Sequence, residues 1–436
     1  MTENIPSDRG QTRQPRLMLI LPASTYNTSE FMTAAGKLDV DVVVASDRGQ
    51  VLQSQFPAGM LQLEFDEPDR AVEQISEYNR QWPLHSIIGV DDHAAWLAAM
   101  ACQALAIPHN SPEAVRAAGN KLLMRQQLES AGLPAPAFEV VDVDGDAGEI
   151  AARVVYPCVL KPLFLAASRG VIRADDVEHF IVAFERIGKL LSQPRIARRG
   201  GEAATQILIE GYVPGAEVAL EGLLVAGRLR VLALFDKPDP LEGPYFAETI
   251  YVTPSRLDPE MQSRVAKQVE EAAAALGLNE GPVHAELRLT DVGVSDGVSA
   301  GIYVIEIAAR SIGGLCSRVL EFGAGISLEE LILRHALGQP ADSLERTDIA
   351  GGVMMLPVPA RGRLRGVDGL DAASMVPGIK EVLITIPIGK DVHPLPEGDR
   401  YLGFMFAEGD TPAGVEAALR QAYAKLDIII DGKAPS

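Results

Sequence analysis

Cysteine is scarce. Cys102, Cys158 and Cys316 are the three in 436 residues, and they are widely spaced in apolar surroundings. They form neither a CxxC metal pair nor a disulfide framework, which leaves buried thiols of a reducing compartment. Basic residues are also few: 39 Lys and Arg against 59 Asp and Glu give a formal charge of -20. That charge disfavours nucleic acid or an anionic membrane surface as a partner, so an anionic substrate needs a local basic pocket helped by metal ions. Long apolar runs are missing, and none approaches the roughly 18 residues of a membrane span. Met1 to Pro15 is polar and lacks the apolar core of a signal peptide. His85, His93 and His109 lack metal-ligand spacing and read as structural. No repeat or low-complexity tract is present, and the default expectation is a cytoplasmic enzyme.

What is there fits a soluble globular chain, with 47% hydrophobic and 22% charged residues and length for about three domains. After a polar tail over 1–15, expected to be disordered, strands over Arg16–Leu21, Val40–Ala45 and Leu84–Val90 alternate with a helix near His93–Leu105. This predicts a parallel α/β unit over 16–115. Ser111-Pro112-Glu113 opens a short helix, and Asn120 to Ala131 forms a second. A strand from Tyr156 ends on Lys161-Pro162, followed by a loop over Leu163–Val171 and a helix over Asp175–Leu191. The basic stretch Gln193–Ala203 reads as an exposed connection. Further on come a strand over Thr205–Glu210, a hairpin of Glu217–Val225 with Arg228–Phe235, and a long helix over Pro259–Leu276. An antiparallel pair, Val283–Leu289 and Tyr303–Ala308, flanks a Gly/Ser/Asp-rich loop over Asp291–Gly301. Strands and a helix beyond about Gly351 read as a small α+β domain without a chemical motif of its own.

The stretch Tyr303–Gly314 is the most informative. Strand alternation puts Val304, Glu306 and Ala308 on one face and Ile305 and Ile307 on the other. A carboxylate in so apolar a strand is costly to bury unless a cation neutralises it. Arg310 and a metal ion are both candidates, so a structural Glu–Arg pair and a site both stand. Lys121, Lys161, Glu210, Glu217 and Glu286 likewise sit on or beside mainly apolar elements. A lysine at a strand end beside a loop suits a phosphate, and carboxylates paired as Glu286 and Glu306 suit Mg²⁺.

These residues carry a family resemblance. Asn120-Lys-Leu-Leu-Met-Arg125, Val159-Leu-Lys161-Pro162 with Ser168-Arg-Gly-Val171, Ile209-Glu-Gly-Tyr-Val-Pro-Gly-Ala-Glu217, His284-Ala-Glu286 and Ile305-Glu-Ile-Ala-Ala-Arg310 stand in one order. In that order they resemble the ATP-grasp carboxylate–amine ligases from about residue 16 to 430. The resemblance implies an ATP-grasp fold over 116–345, with a lid near 155–215. It also implies an N-terminal pre-ATP-grasp α/β domain and a C-terminal α+β domain over 346–436.

The roles it implies are ATP phosphates on Lys121, Lys161 and the Ser168 loop, adenine on Glu210 and the Tyr212 and Val213 backbone, and ribose on Glu217. Mg²⁺, with Mn²⁺ as a substitute, would lie on Glu286 and Glu306, and Arg310 would clamp the reacting oxygens. Phe235–Asp239, Phe246–Ser255 and the Ala-Ala-Arg310 version look most like the L-amino-acid ligase branch. This adds Lys237 as a phosphate contact and Glu248, His284, Gly313 and Gly314 as substrate-pocket residues. The implied partners are a small-molecule carboxylate and an amine, and a homodimer is compatible with the family. Two departures stand out: Ala166 and Ala167 replace small flexible loop residues, and Ala308 stands where many members have an asparagine ligand. A bicarbonate-using carboxylating enzyme ranks lower, because no cysteine- and arginine-rich segment surrounds Cys316. A nucleotide-binding sensor without turnover ranks third, because Glu306 and Lys161 are both present.

Overall fold

The structure is a computed structural model that describes residues 14–23, 25–48, 58–290, 300–341 and 343–431. Nearly all of the polar tail and the loop between the two glutamate strands lie outside the described residues.

Four parallel strands form the N-terminal sheet: β1 (Arg16–Ile20), β2 (Asp41–Ser46), β3 (Met60–Gln62) and β4 (Ser86–Gly89), in the order β3-β2-β1-β4. Leu17 to Ile20 are wholly buried, as expected of a central parallel strand covered on both faces. The helix Asp92–Leu105 starts on Asp91, whose side chain accepts from the Ala94 amide. Gly89 permits this start, because a Cβ there would meet the Ala94 backbone at 2.1 Å.

A second sheet is antiparallel: β5 (Phe138–Asp142), β6 (Cys158–Pro162), β7 (Ile172–Ala174) and β8 (Gln206–Gly211), in the order β5-β8-β6-β7. Helix Val177–Leu191 buries Phe180, Phe184 and Ile187 against it. The expected exposed connection is instead a helix, Pro194–Gly200, followed by a 3-10 turn, Gly201–Thr205. Pro194 sits in its first turn and Ile196 is buried, so two residues set the structure while the arginines stay in solvent.

The third sheet carries β9 (Ala216–Val225), β10 (Arg228–Lys237), β11 (Ile250–Thr253), β12 (Gly281–Thr290) and β13 (Gly301–Ala308). A two-stranded pair follows, β14 (Glu321–Phe322) and β15 (Ile326–Ser327). The later strands β16 (Ala350–Leu356), β18 (Ile379–Ile384) and β20 (Gly403–Gly409) extend the third sheet, giving the eight-stranded order β13-β12-β9-β10-β11-β16-β20-β18. The remaining strands, β17 (Gly362–Asp368), β19 (Asp391–Val392) and β21 (Asp427–Asp431), make a separate three-stranded sheet. Helix Pro259–Leu276 turns Val265, Val269, Ala272 and Leu276 into the core beneath β9, β12 and β13.

Candidate active site

One cavity lies between the second sheet and the long third sheet. Lys121, Lys161, Ser168, Glu210, Tyr212, Val213, Glu217, Lys237, Glu248, His284, Glu286, Glu306, Arg310, Gly313 and Gly314 all line it. Every residue singled out from the sequence is thus brought to one place.

The third sheet supplies its wall as cross-strand rows. Lys237 pairs with Glu217 and Glu217 with Arg288; Ala219 pairs with Glu286 and Glu286 with Glu306; Glu221 pairs with His284 and His284 with Ala308. Residues two apart on each strand share a face, so charged groups from neighbouring rows crowd together. A bulge interrupts β13: Glu286 faces Glu306, but Leu287 faces Val304, leaving Ile305 extra. Val304 and Ile307 therefore lie in the core, whereas Ile305 and Glu306 both line the cavity. The face assignment expected from strict alternation, with Ile305 opposite Glu306, is corrected on this point.

At the lysine end, Lys161 Nζ donates to Glu210 Oε2 at 2.5 Å, and Arg125 Nε donates to Glu210 Oε1 at 2.7 Å. Wholly buried Arg125 also donates to the Val304 and Ile305 carbonyls, at 2.6 and 3.0 Å, pinning its helix to the third sheet. Burial opposes the Glu210 charge, but Arg125 and Lys161 outweigh it and hold the carboxyl down at about 2. One carboxylate serving two cations leaves burial, with Arg125 adding repulsion, to pull Lys161 below its usual range. Lys121 Nζ donates to the Leu165 carbonyl at 2.7 Å and lies 3.6 Å from Glu306 Oε2. The loop between them bends sharply: Ala167 and Ser168 both have φ of 55°, a left-handed conformation costly for residues other than glycine.

At the carboxylate end, Lys237 Nζ donates to Glu217 at 2.5 Å and Glu248 at 3.2 Å, and lies 3.4 Å from Glu286. Burial works against its charge, yet Glu217, Glu286 and Glu248 together raise Lys237 well above its usual range. Arg288 Nε holds the other Glu217 oxygen at 2.9 Å, and its Nη1 donates to the Val213 carbonyl at 2.8 Å. Tyr401 donates to Glu248 at 2.9 Å, and Tyr251 reaches Glu248 at 3.0 Å and Glu286 at 3.2 Å. Burial and the Glu286 charge push Glu248 upward. Burial pushes Glu286 the same way, but Lys237 and His284 bring it down to about 2. Tyr212 and Phe246 stack at 6.5 Å, with the Arg173 guanidinium 4.1 Å from the Tyr212 ring centre.

Arg310 is not the partner of Glu306. Its Nε and Nη2 bind the two oxygens of Asp92 at 3.0 and 3.2 Å, while Glu306 pairs with Lys121. Asp92, Glu221, Tyr251, Arg288 and Tyr401 are the contributors that sequence reasoning missed. Through Tyr401 the C-terminal segment, which has no chemical motif of its own, contributes one side chain to the cavity wall. Glu221 and Arg288, lone charges in apolar strands, carried the same signal as Glu306. Asp92 carried none, because its partner is 218 residues away.

No group of three His, Cys, Asp or Glu side chains is placed to hold a metal alone among the described residues. Mg²⁺ needs no such cage, because one or two carboxylates plus substrate phosphates satisfy it. Glu286 and Glu306, cross-strand partners that both line the cavity, supply hard oxygen donors of that kind, so the residues fit the ion.

Comparison with known proteins decides the family. Residues 154–319 match an ATP-grasp domain, residues 32–109 an ATP-grasp N-terminal domain, and residues 354–431 an L-amino acid ligase C-terminal domain 2. The chain belongs to the ATP-grasp superfamily. It superposes on the crystal structure of L-amino acid ligase from Bacillus licheniformis with a TM-score of 0.78 and 25% identity, covering 96% of this ATP-grasp chain and 100% of that one. An uncharacterized protein, y4rH, of Sinorhizobium fredii is 22% identical over 98% of this chain and 85% of its own. Alanine–anticapsin ligase of Bacillus subtilis (strain 168) is 27% identical over 51% of this chain, which spans only 48% of that relative's length. No helix among the described residues is long and apolar enough to cross a membrane.

Proposed function

We propose that this ATP-grasp protein is an ATP- and Mg²⁺-dependent ligase that joins the carboxylate of an L-amino acid to an amine, releasing ADP and phosphate. One observation supports the reading above others: Lys121, Lys161, the cross-strand pair Glu286 and Glu306, and Arg310 line one cavity. Bringing a carboxylate to a triphosphate means bringing anions together, and that demand is met by cations and preorganised donors.

The chain's residues divide the work. Lys121 and Lys161 bind the phosphates, with Ser168 on the loop above. Glu210 is committed to Arg125 and Lys161, so it acts by aiming Lys161. The adenine then falls to the backbone of Tyr212 and Val213 and to the Tyr212–Phe246 stack. Glu217 offers its carboxylate to the ribose while Lys237 and Arg288 hold it. Glu286 and Glu306 would hold Mg²⁺, which when bound neutralises charge on the triphosphate. Arg310 faces the reacting carboxyl, and Glu248, His284 and the Gly313–Gly314 turn shape the substrate pocket. A carboxylate oxygen attacks the γ-phosphorus and ADP leaves, giving an acyl phosphate. The amine nitrogen then attacks the acyl carbon, loses a proton, and phosphate departs.

Incubation with ATP, Mg²⁺ and amino-acid pools, followed by phosphate assay and product mass, tests the reading. Phosphate release requiring both a carboxylate and an amine supports it. Release driven by bicarbonate alone favours a carboxylating enzyme, and ATP binding without turnover favours a sensor.

A further inference from the structure

Glu221 is a wholly buried carboxylate in β9 for which the mechanism above has no use. Its Oε2 accepts from the Ile312 amide at 3.0 Å and lies 3.2 Å from His284 Nδ1. An oxygen that accepts the Ile312 N–H is the acceptor toward the ring as well, so Nδ1 carries the proton and donates. His284 Nε2 is thereby turned toward Glu286 Oε1, 3.6 Å away. Across the ladder on the other side stands Ala308, too small to crowd the ring. The second Glu221 oxygen, Oε1, is buried without a hydrogen-bond partner.

That last feature argues against a purely structural role. A buried carboxylate with an unsatisfied oxygen is a costly way to fill space between Ala219 and Leu223, its neighbours on the same face of the strand. Its position joins two things the cavity needs. His284 lines one part of the wall, and Ile312 belongs to the turn that runs from Arg310 to Gly314 and lines another.

We propose that Glu221 is a positioning residue: one oxygen fixes both the His284 ring and the Arg310–Gly314 turn, so the two present to substrate as a single rigid unit. The proposal rests on the ligase reading for its kinetic consequences but not for its geometry. Partners that orient site residues typically cost about 10- to 100-fold in activity when removed.

Glu221→Leu therefore lowers kcat about 10- to 100-fold with KM for ATP unchanged, and Glu221→Gln, which keeps an acceptor oxygen, restores most of the loss. On a His284→Ala background, Glu221→Leu costs less than in the wild type, because residues acting through one another are not additive, and what remains is the share that acts through the Ile312 amide. Equal losses in both backgrounds overturn the proposal. ¹⁵N-histidine spectra of the ATP-free protein read the same contact without turnover. The Nδ1-bound proton of His284 is expected in the wild type and in Glu221→Gln, and to be lost in Glu221→Leu. An unchanged ring spectrum in Glu221→Leu overturns the proposal. If the wild type forms no product from any pool, the ligase reading fails, and the ring spectrum still decides the role of Glu221.

Discussion

Arg310 is held by Asp92, a residue of the N-terminal unit, through two hydrogen bonds of 3.0 and 3.2 Å. Burial opposes the Asp92 charge, but Arg310 overcomes it and keeps the carboxyl below its ordinary range. The guanidinium proposed to clamp the reacting carboxyl is therefore set by a helix start outside the sheet whose strand β13 leads into it. Asp92→Asn is expected to retain the fold and lower kcat, because a neutral amide no longer fixes the guanidinium. Asp92→Ala also leaves a part-buried arginine without its partner and is expected to lower stability as well. Urea unfolding midpoints alongside kcat separate the two effects.

Arg125 ties the helix Lys121–Ser130 to both sheets through Glu210 and the Val304 and Ile305 carbonyls. Arg125→Met is expected to destabilise by about 3–5 kcal/mol, because Glu210 and two carbonyls lose their donor together. The check is a lowered thermal or urea midpoint, with a larger rise in KM for ATP than for the amine as Lys161 loses its aim.

Glu210 makes a pH prediction with a definite sign. Its carboxyl titrates at about 2 in the folded chain against an ordinary value of 4.5, so its stabilisation is fully present above 4.5. It fades as pH falls toward about 2, amounting to about 3 kcal/mol over the window. Urea unfolding across that range should show a shallower slope in Glu210→Gln than in the wild type. Equal slopes would show that Glu210 is not held ionised by Arg125 and Lys161.

Glu306→Gln keeps the shape of the side chain and removes its charge. Mg²⁺-dependent turnover is expected to fall by at least about 100-fold with an unaltered unfolding midpoint. Turnover that survives would mean the metal is held elsewhere.

Much of this site could be read from the chain because it is built on long, apolar, regular elements. A lone carboxylate among β-branched residues is conspicuous, and two strands of period two flanking one loop predict an antiparallel pair; the facing register of Glu286 and Glu306 comes from the structure. The same periodicity misplaced Ile305, since a bulge of one residue leaves no mark on composition. The stretch Gln193–Ala203 misled because its arginines outnumber the two residues, Pro194 and Ile196, that make it helical. Strand β3, three residues long, is too short to show a period. Asp92 and Tyr401 reach the site through tertiary packing alone, and no local pattern announces such a contact.

The acyl phosphate is the centre of the proposed chemistry, and isotope transfer tests it most directly. An amino acid labelled with ¹⁸O in its carboxylate is turned over with ATP, Mg²⁺ and the amine, and the phosphate released is weighed. Attack of the carboxylate on the γ-phosphorus carries one labelled oxygen into each phosphate. Unlabelled phosphate formed alongside the amide would contradict it.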